Sequence, residues 1–388
     1  MIARNHYLEL IRERLRRSPV VSVPGPRQVG KATLVRVIAC EQPSHFFDLE
    51  DVVALARPAE PKAALERLEG LVVLDEVQRK LELFALLRLL ADRQPVKARF
   101  LLTGGASPDL VRWVSESFAV RVALVDVAGF NLAGVGEGEW RQLWWRGGFP
   151  RAYLADTEST SRQWQEEFVR TLLERDMPQL GITISSVALR RFWTMLTDYH
   201  AQIWKGSELA LSLGASEPTM RKYLELLSCT FMVRQLAPWQ ENVGKRQVKA
   251  LNIYLRDSGL LHCLMRQAAI FGLESHPKLG ASRGGFALEQ ALSLTGDRDA
   301  YFWATHGGAE LDLLVNRGGQ KYGFEFKYGD APSLSKSMHT ALDDLKLERL
   351  FVVHPGQDSH AMDDHTEAVG ISHLRARLVQ AGLGGRLI

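Results

Sequence analysis

Residues 19–39 read PVVSVPGPRQVGKATLVRVIA. A short, mostly β-branched run, Val20–Val23, stops at Pro24 and Gly25, and a helical run starts near Lys31. The order is strand, glycine-rich loop, helix. Within it, Gly25-Pro26-Arg27-Gln28-Val29-Gly30-Lys31 fits G-x-x-x-x-G-K. Such a loop wraps backbone N–H groups around phosphates, so glycine stands where side chains would collide. The helix that follows presents the positive end of its dipole to the anion. Lys31 adds a flexible point charge for the β- and γ-phosphates. The candidate nucleotide contacts are therefore Gly25 to Lys31, with Ala32 and Thr33 opening the helix. The residue after the lysine is ordinarily Ser or Thr, whose hydroxyl holds Mg²⁺. Here it is Ala32, and Thr33, one residue on, points ~100° round the helix. Nucleotide binding survives this substitution, whereas Mg²⁺-dependent hydrolysis is weakened.

Working outward, Leu71–Leu74 is a continuous apolar run ending at Asp75-Glu76. Continuous apolarity fits a strand buried on both faces of a parallel sheet. Asp75 is a candidate Mg²⁺ ligand through water, and Glu76 a candidate general base. Residues 98–103 (ARFLLT) form another buried strand, which places Thr103 where it can sense the γ-phosphate or orient water. Arg121 is a candidate trans-acting arginine. A strand is expected at His45–Leu49, helices at 61–68 and 81–90, and an amphipathic entry helix at 5–17 carrying Tyr7, Leu8, Ile11 and Leu15. Strands alternating with helices mean an α/β fold with a parallel sheet.

The chain has 388 residues, enough for two or three domains, and its 46% hydrophobic and 24% charged content excludes a mostly disordered or disulfide-stapled protein. Charges nearly cancel, with 48 Lys+Arg against 45 Asp+Glu, so any nucleic-acid surface must be local. Cys40, Cys229 and Cys263 fit no zinc spacing and no disulfide framework. No apolar run approaches the ~18 residues that spanning a bilayer needs, and the N-terminus lacks a secretory h-region. A cytoplasmic protein without membrane partners is expected.

The sequence pattern changes near Gly134–Glu139, giving expected domains at 1–139, 140–270 and 271–388. Residues 160–235 read as helices broken at Pro178–Ser186. Gly206–Leu224 has the cadence helix, glycine-containing turn, helix, with Glu217, Thr219, Arg221 and Lys222 facing outward. Residues 190–256 hold ten Lys/Arg and five Asp/Glu, a local excess of five positive charges. This suits DNA phosphates, and equally a solvated basic face used for protein contact. Asn242–Leu255 reads as strand-like. Gly280–Gly285 reads as a loop before a helix, Phe286–Leu294. Strands follow at Tyr301–Trp303, Glu310–Val315, Tyr322–Lys327 and Arg349–Val353. Glu325 and Lys327, two apart on a strand, share one face. A hairpin through Asn316–Gln320 brings Asp312 beside Glu325, and Glu289 on the preceding helix is a candidate third carboxylate. The arrangement resembles the PD-(D/E)xK nucleases. That resemblance implies that Asp312 and Glu325 hold Mg²⁺ and that Lys327 positions the nucleophile. The same triple also arises in hairpins with charged outer faces.

Taken together, these residues resemble the bacterial and archaeal AAA+ ATPase family whose ATPase module is followed by a C-terminal domain of unassigned function. The resemblance rests on GPRQVGK at 25–31, VLDEVQ at 73–78, LLTG at 101–104 and SESFA at 115–119. In the second half it rests on WRGGFP at 145–150, LERD at 173–176, NVGKR at 242–246 and YLRDSGL at 254–260. It implies an ATP-binding P-loop core, a winged-helix-like middle, a nuclease-like end, and a homo-oligomer, because AAA+ sites lie between subunits. The chain departs from the family at Ala32, at Gly105 where Ser is usual, at Val120 where Gly is usual, at Ala250-Leu251-Asn252, and at Ala287-Leu288 before Glu289. Several of these departures fall on the phosphate-handling half. The expected protein is a nucleotide-gated ATPase-like protein acting on or near DNA. The alternatives are a Mg²⁺-dependent nuclease with a regulatory P-loop module and a non-hydrolysing regulator.

Overall fold

The structure is a computed structural model that describes residues 2–50, 65–80, 82–105, 122–180, 182, 184–241, 244, 246–267, 269–329 and 332–384. It divides into two compact units, one of Met1–Gly129 with Cys229–Phe231, the other of Phe130–Ser228 and Met232–Ile388.

The first unit opens with helix α1 (Asn5–Arg17), whose buried stripe is Tyr7, Ile11 and Leu15. Then come β1 (Val20–Val23), α2 (Lys31–Cys40), β2 (Ser44–Asp48), β3 (Gly70–Asp75), α3 (Leu83–Ala91), β4 (Ala98–Thr103) and β5 (Val122–Leu124). The five strands form one parallel sheet in the order β2-β3-β4-β1-β5. This is the expected α/β core. The apolar runs of β1 and β3 are buried because helices cover the sheet, and Phe84 and Leu87 of α3 pack on Val72, Leu74, Phe100 and Leu102. Register decides where the chemistry sits. Val23 pairs with Thr103 and Leu74 with Leu102, so β1, β3 and β4 end together. Open α/β sheets bind ligands at this carboxyl edge. The helix expected at 61–68 lies mostly outside the described residues.

The second unit begins with helices α4 (Trp140–Arg146), α5 (Glu158–Thr171) and α6 (Ser186–Leu196). It continues through β6 (Gln202–Ile203), α7 (Gly206–Leu213), α8 (Glu217–Cys229), β7 (Val233–Pro238), β8 (Asn252–Leu255), α9 (Ser258–Leu264) and α10 (Leu279–Thr295). The end comprises β9 (Ala300–Ala304), β10 (Glu310–Arg317), β11 (Gln320–Phe326), α11 (Lys336–Leu345), β12 (Arg349–His354), β13 (His360–Ala361), β14 (Thr366–Gly370) and α12 (Leu374–Gln380). One nine-stranded sheet runs β13-β14-β12-β11-β10-β9-β7-β8-β6. Strand β8 pairs antiparallel with both β6 and β7. β7 continues parallel onto β9. The connection after β7 is stitched along the same strand, with Trp239 N donating to Phe302 O at 2.7 Å and Val248 N to Ala304 O at 2.9 Å. No helix among the described residues is long and apolar enough to cross a membrane.

Three local expectations are corrected here. Gly280–Gly285 is not a loop but part of α10. At Gly285 a Cβ would lie 2.2 Å from His200 Nε2, so the glycine serves close packing rather than a turn. The run read as helical to residue 235 is interrupted by β6 and ends before β7. Among the described residues of the strand-like Asn242–Leu255, only Asn252–Leu255 is a strand, with an isolated bridge from Gln247 to Thr305.

Two of the family-like motifs of this unit, WRGGFP and YLRDSGL, pack against each other, while Asn242, Val243 and Lys245 of NVGKR lie outside the described residues. The Asp257 carboxylate accepts from Gly148 N at 2.7 Å and from Leu260 N at 2.8 Å, tying WRGGFP to YLRDSGL. A Cβ at Gly147 would lie 2.2 Å from Asp257 Oδ1, and one at Gly259 2.2 Å from Arg146 O. Burial pushes the Asp257 carboxyl up to about 6. His262 stacks on Trp145, and its Nε2 lies 2.7 Å from Ser282 Oγ, which also accepts from Trp144 Nε1 at 3.0 Å.

Candidate functional site

The phosphate loop joins β1 to α2 and turns through two left-handed residues, Gln28 (φ 64°) and Gly30 (φ 84°). A run of backbone N–H groups in such a turn makes a concavity for anions. At Gly25 a Cβ would lie 2.1 Å from Val127 O, so any larger residue displaces the loop. Lys31 is 9% exposed. Its ammonium donates to Gly25 O at 2.8 Å and Pro26 O at 2.6 Å. Burial lowers its pKa to about 8, and Glu76 and Asp75 oppose that shift. A buried cation resting on its own loop's carbonyls, beside a glycine cradle, fits a phosphate ligand.

Asp75 ends β3, and its Oδ1 accepts both the Thr103 hydroxyl and Glu76 N, the latter at 3.0 Å. Three predicted residues therefore meet at the sheet edge. Glu76 sits at φ 54°, a left-handed conformation that costs a non-glycine residue about 1–3 kcal/mol and clusters at active sites. Gln78 Nε2 donates to the Glu76 carboxylate, while Gln78 Oε1 is buried without a hydrogen-bond partner among the described residues. Gly104 and Gly105 make room for that amide, since a Cβ at Gly104 would lie 2.2 Å from Gln78 Oε1 and one at Gly105 3.2 Å from Nε2. Ala32 is half-buried and Thr33 exposed. The residue after Lys31 thus carries no hydroxyl, and Asp75 is the carboxylate at the end of β3. Arg121 lies outside the described residues.

Sequence reasoning missed two residues here, Gln78 and Arg4. Arg4 is buried, and Nη1 donates to Val29 O at 2.6 Å while Nη2 donates to Ala128 O and, at 3.4 Å, to Gly129 O. Tyr7 Oη accepts from Ala128 N at 3.1 Å. No local signal marks Arg4, because its acceptors are far away in sequence.

In the second unit the hairpin does bring Asp312 and Glu325 together. Phe326 N donates to Asp312 Oδ2 at 2.9 Å, and Lys327 Nζ to Glu325 Oε2 at 2.8 Å. Glu325 is buried, and among the described residues its Oε1 has no hydrogen-bond partner. Burial, then the neighbouring Asp312, pushes the Glu325 carboxyl well above its ordinary range, and burial also raises Asp312. Glu289 does not supply the third carboxylate. Arg234 donates to both of its oxygens, at 3.0 Å to Oε2, and Arg256 lies 3.6 Å away. Those guanidiniums hold the Glu289 carboxyl below its usual range. Among the described residues, no group of three His, Cys, Asp or Glu side chains is gathered to hold a metal ion. On α8, Glu217, Arg221 and Lys222 are exposed and Thr219 is half-buried, with Arg221 3.7 Å from Glu217.

Residues 17–135 match a family model described as an AAA domain. Residues 137–270 and 279–374 match two domains of unknown function, DUF8612 and DUF4143. The chain is similar to the uncharacterized proteins Rv2008c of Mycobacterium tuberculosis and Mb2031c of Mycobacterium bovis. Each is 46% identical over 369 residues, 95% of this chain and 84% of theirs. Among solved structures it is similar to the Walker-type ATPase PABY2304 of Pyrococcus abyssi, at 16% identity over 68% of this chain and 96% of that one, TM-score 0.46. It is also similar to the ORC2 protein of Aeropyrum pernix, at 14% identity over 70% and 95%, TM-score 0.34.

Proposed function

Because the chain belongs to the family of those mycobacterial proteins, an AAA domain followed by DUF4143, we propose that it is an ATP-gated switch that binds nucleotide well and cleaves it slowly. The observation that carries this reading is the pairing of an intact phosphate loop with Ala32. Lys31 is buried against the loop and is free to exchange its two carbonyl acceptors for phosphate oxygens. Gly25 to Gly30 supply the backbone cradle, and the start of α2 adds its dipole. When bound, Mg²⁺ neutralises charge on the β- and γ-phosphates, with Asp75 the side chain placed to hold it. Thr103 orients Asp75 through its hydroxyl, and Gln78 holds the Glu76 carboxylate. Without a hydroxyl at position 32, binding of ATP outlasts its cleavage. The γ-phosphate then biases the arrangement of the second unit.

The order α6, β6, α7, α8, β7, β8, with β8 between β6 and β7, supports a winged-helix reading of the middle. Arg221 and Lys222 would then meet DNA phosphates. A homo-oligomer, with Arg121 reaching a neighbour's nucleotide, and a cytoplasmic location belong to the same proposal. A second reading, a divalent-cation nuclease site at Asp312, Glu325 and Lys327, is favoured by the unpartnered Glu325 Oε1. Loss of the Glu289 carboxylate to Arg234 and Arg256 ranks it below the switch. The test is ATP turnover with Mg²⁺, with and without DNA, in wild type and Ala32→Thr. Restoring the hydroxyl raises turnover at least about tenfold, about 1.4 kcal/mol in the barrier. Equal, fast turnover in both proteins defeats the proposal.

A further inference from the structure

The phosphate loop is fastened at both ends to the segment Val125–Gly129, which leads in sequence to residue 130, where the second unit begins. At the front of the loop, Val127 N donates to Pro24 O at 2.9 Å, and Gly25 approaches Val127 O so closely that a Cβ there would lie 2.1 Å from it. At the back, one guanidinium spans the gap. Arg4 Nη1 holds Val29 O at 2.6 Å, and Nη2 holds Ala128 O and Gly129 O. Tyr7, one turn along α1, takes the Ala128 N–H at 3.1 Å. The Arg4 guanidinium lies 4.6 Å from the centre of the Tyr7 ring, so the two side chains brace each other.

Peptide planarity gives this bridge a direction. In a trans peptide the C=O and the following N–H point opposite ways. Arg4 grips the carbonyl of the Val29–Gly30 peptide and so aims the Gly30 N–H to the other side of the loop. Gly30 is left-handed at φ 84°, so a change at this peptide plane is taken up locally without a side chain to resist it. A phosphate that draws on the Gly30 N–H turns the plane that Arg4 holds. Arg4 is planar and rigid, with its donors in a fixed fork, so the movement passes to Ala128 and Gly129 rather than being lost in a flexible stem.

We propose that Arg4 is a positioning residue that couples nucleotide occupancy of the phosphate loop to the backbone of Ala128 and Gly129. The coupling rests on the nucleotide reading of the loop and adds the route by which occupancy leaves the first unit. It acts through carbonyls and needs no contact between Arg4 and the nucleotide.

The experiment uses the full chain, with ATP as the probe. ATP affinity is measured by titration, and hydrogen exchange is followed at the amides of Val125, Val127 and Ala128, with and without ATP. The proteins are wild type, Arg4→Gln, Arg4→Lys and Lys31→Ala. In wild type, ATP slows exchange at Val127 and Ala128 at least about tenfold. Arg4→Gln and Arg4→Lys still bind ATP, within about tenfold of the wild-type Kd, and their Ala128 amide no longer responds, whereas Val127, bonded directly to Pro24 O, still does. Lys31→Ala loses binding and response together. Binding by wild type with no change at Ala128 overturns the coupling alone, as does an undiminished Ala128 response in Arg4→Gln or Arg4→Lys. If Arg4→Gln does not fold, the wild-type response and Arg4→Lys still decide. Absence of ATP binding in wild type overturns the loop reading, and the coupling with it.

Discussion

Replacing Lys31 with methionine removes a charge that the fold keeps in a dry place. The ammonium is 9% exposed, and its pKa falls from 10.5 to about 8, mainly by burial. A shift of about 2.5 units at ~1.36 kcal/mol per unit withholds about 3 kcal/mol of stability at neutral pH. Below about 8, folded and unfolded chains both carry the proton and the cost is complete. Between about 8 and 10.5, the unfolded chain binds more protons at this site than the folded one, so stability rises with pH. Above 10.5 the cost is gone. Methionine pays none of this at any pH. The stability of wild type relative to Lys31→Met therefore improves by about 2 kcal/mol between pH of about 7.5 and about 10. The hydrogen bonds to Gly25 O and Pro26 O come from the titrating ammonium itself, so their change with pH is already contained in the pKa shift. The assay is denaturant unfolding at the two pH values, read by pulse proteolysis of residues 1–129. Tryptophan fluorescence is a poor probe there, because eight of the nine tryptophans lie at or beyond residue 140. ATP returns the missing counter-charge, so saturating ATP flattens the wild-type pH dependence. A stability difference that does not change between the two pH values refutes the burial of a charged lysine.

Gly25→Ala places a Cβ 2.1 Å from a backbone carbonyl that cannot swing aside. It lowers stability by about 1–3 kcal/mol and weakens ATP binding, read as a fall in Tm and a rise in Kd. Glu289→Ala strands the buried Arg234, which among the described residues keeps Asp297 at 3.0 Å as its carboxylate, and costs about 3–5 kcal/mol. An unchanged Tm in that variant returns Glu289 to the list of free carboxylates. Asp312→Asn abolishes any Mn²⁺ binding by the second unit in a calorimetric titration, and retained binding places the cation elsewhere.

The first unit was legible because its signals are local. Val20–Val23, the glycines and Lys31 fall within a dozen residues, and Leu71–Leu74 announces both a buried strand and the acid at its end. The rest depends on partners that no window of sequence contains. Arg4 meets Val29 across 25 residues and Ala128 across 124. Glu289 read as a spare carboxylate because its neutralising arginine is 55 residues back in the chain. Gly280–Gly285 read as a loop because glycine is a poor helix former, yet the ring of His200 needs the space beside Gly285. Gln78 lies within VLDEVQ, where no local signal marks it, and its role depends on Gly104 and Gly105 leaving room beyond another strand. The WRGGFP and YLRDSGL stretches marked the family correctly, but their chemistry is the capping of two chain segments by one buried carboxylate.

Equilibrium binding of ATP to the full chain, wild type beside Lys31→Ala, tests the central claim most directly. The account predicts saturable binding by wild type and at least about a tenfold loss in Lys31→Ala, equivalent to about 1.4 kcal/mol. Equal affinity in the two proteins, or no binding by either, contradicts it.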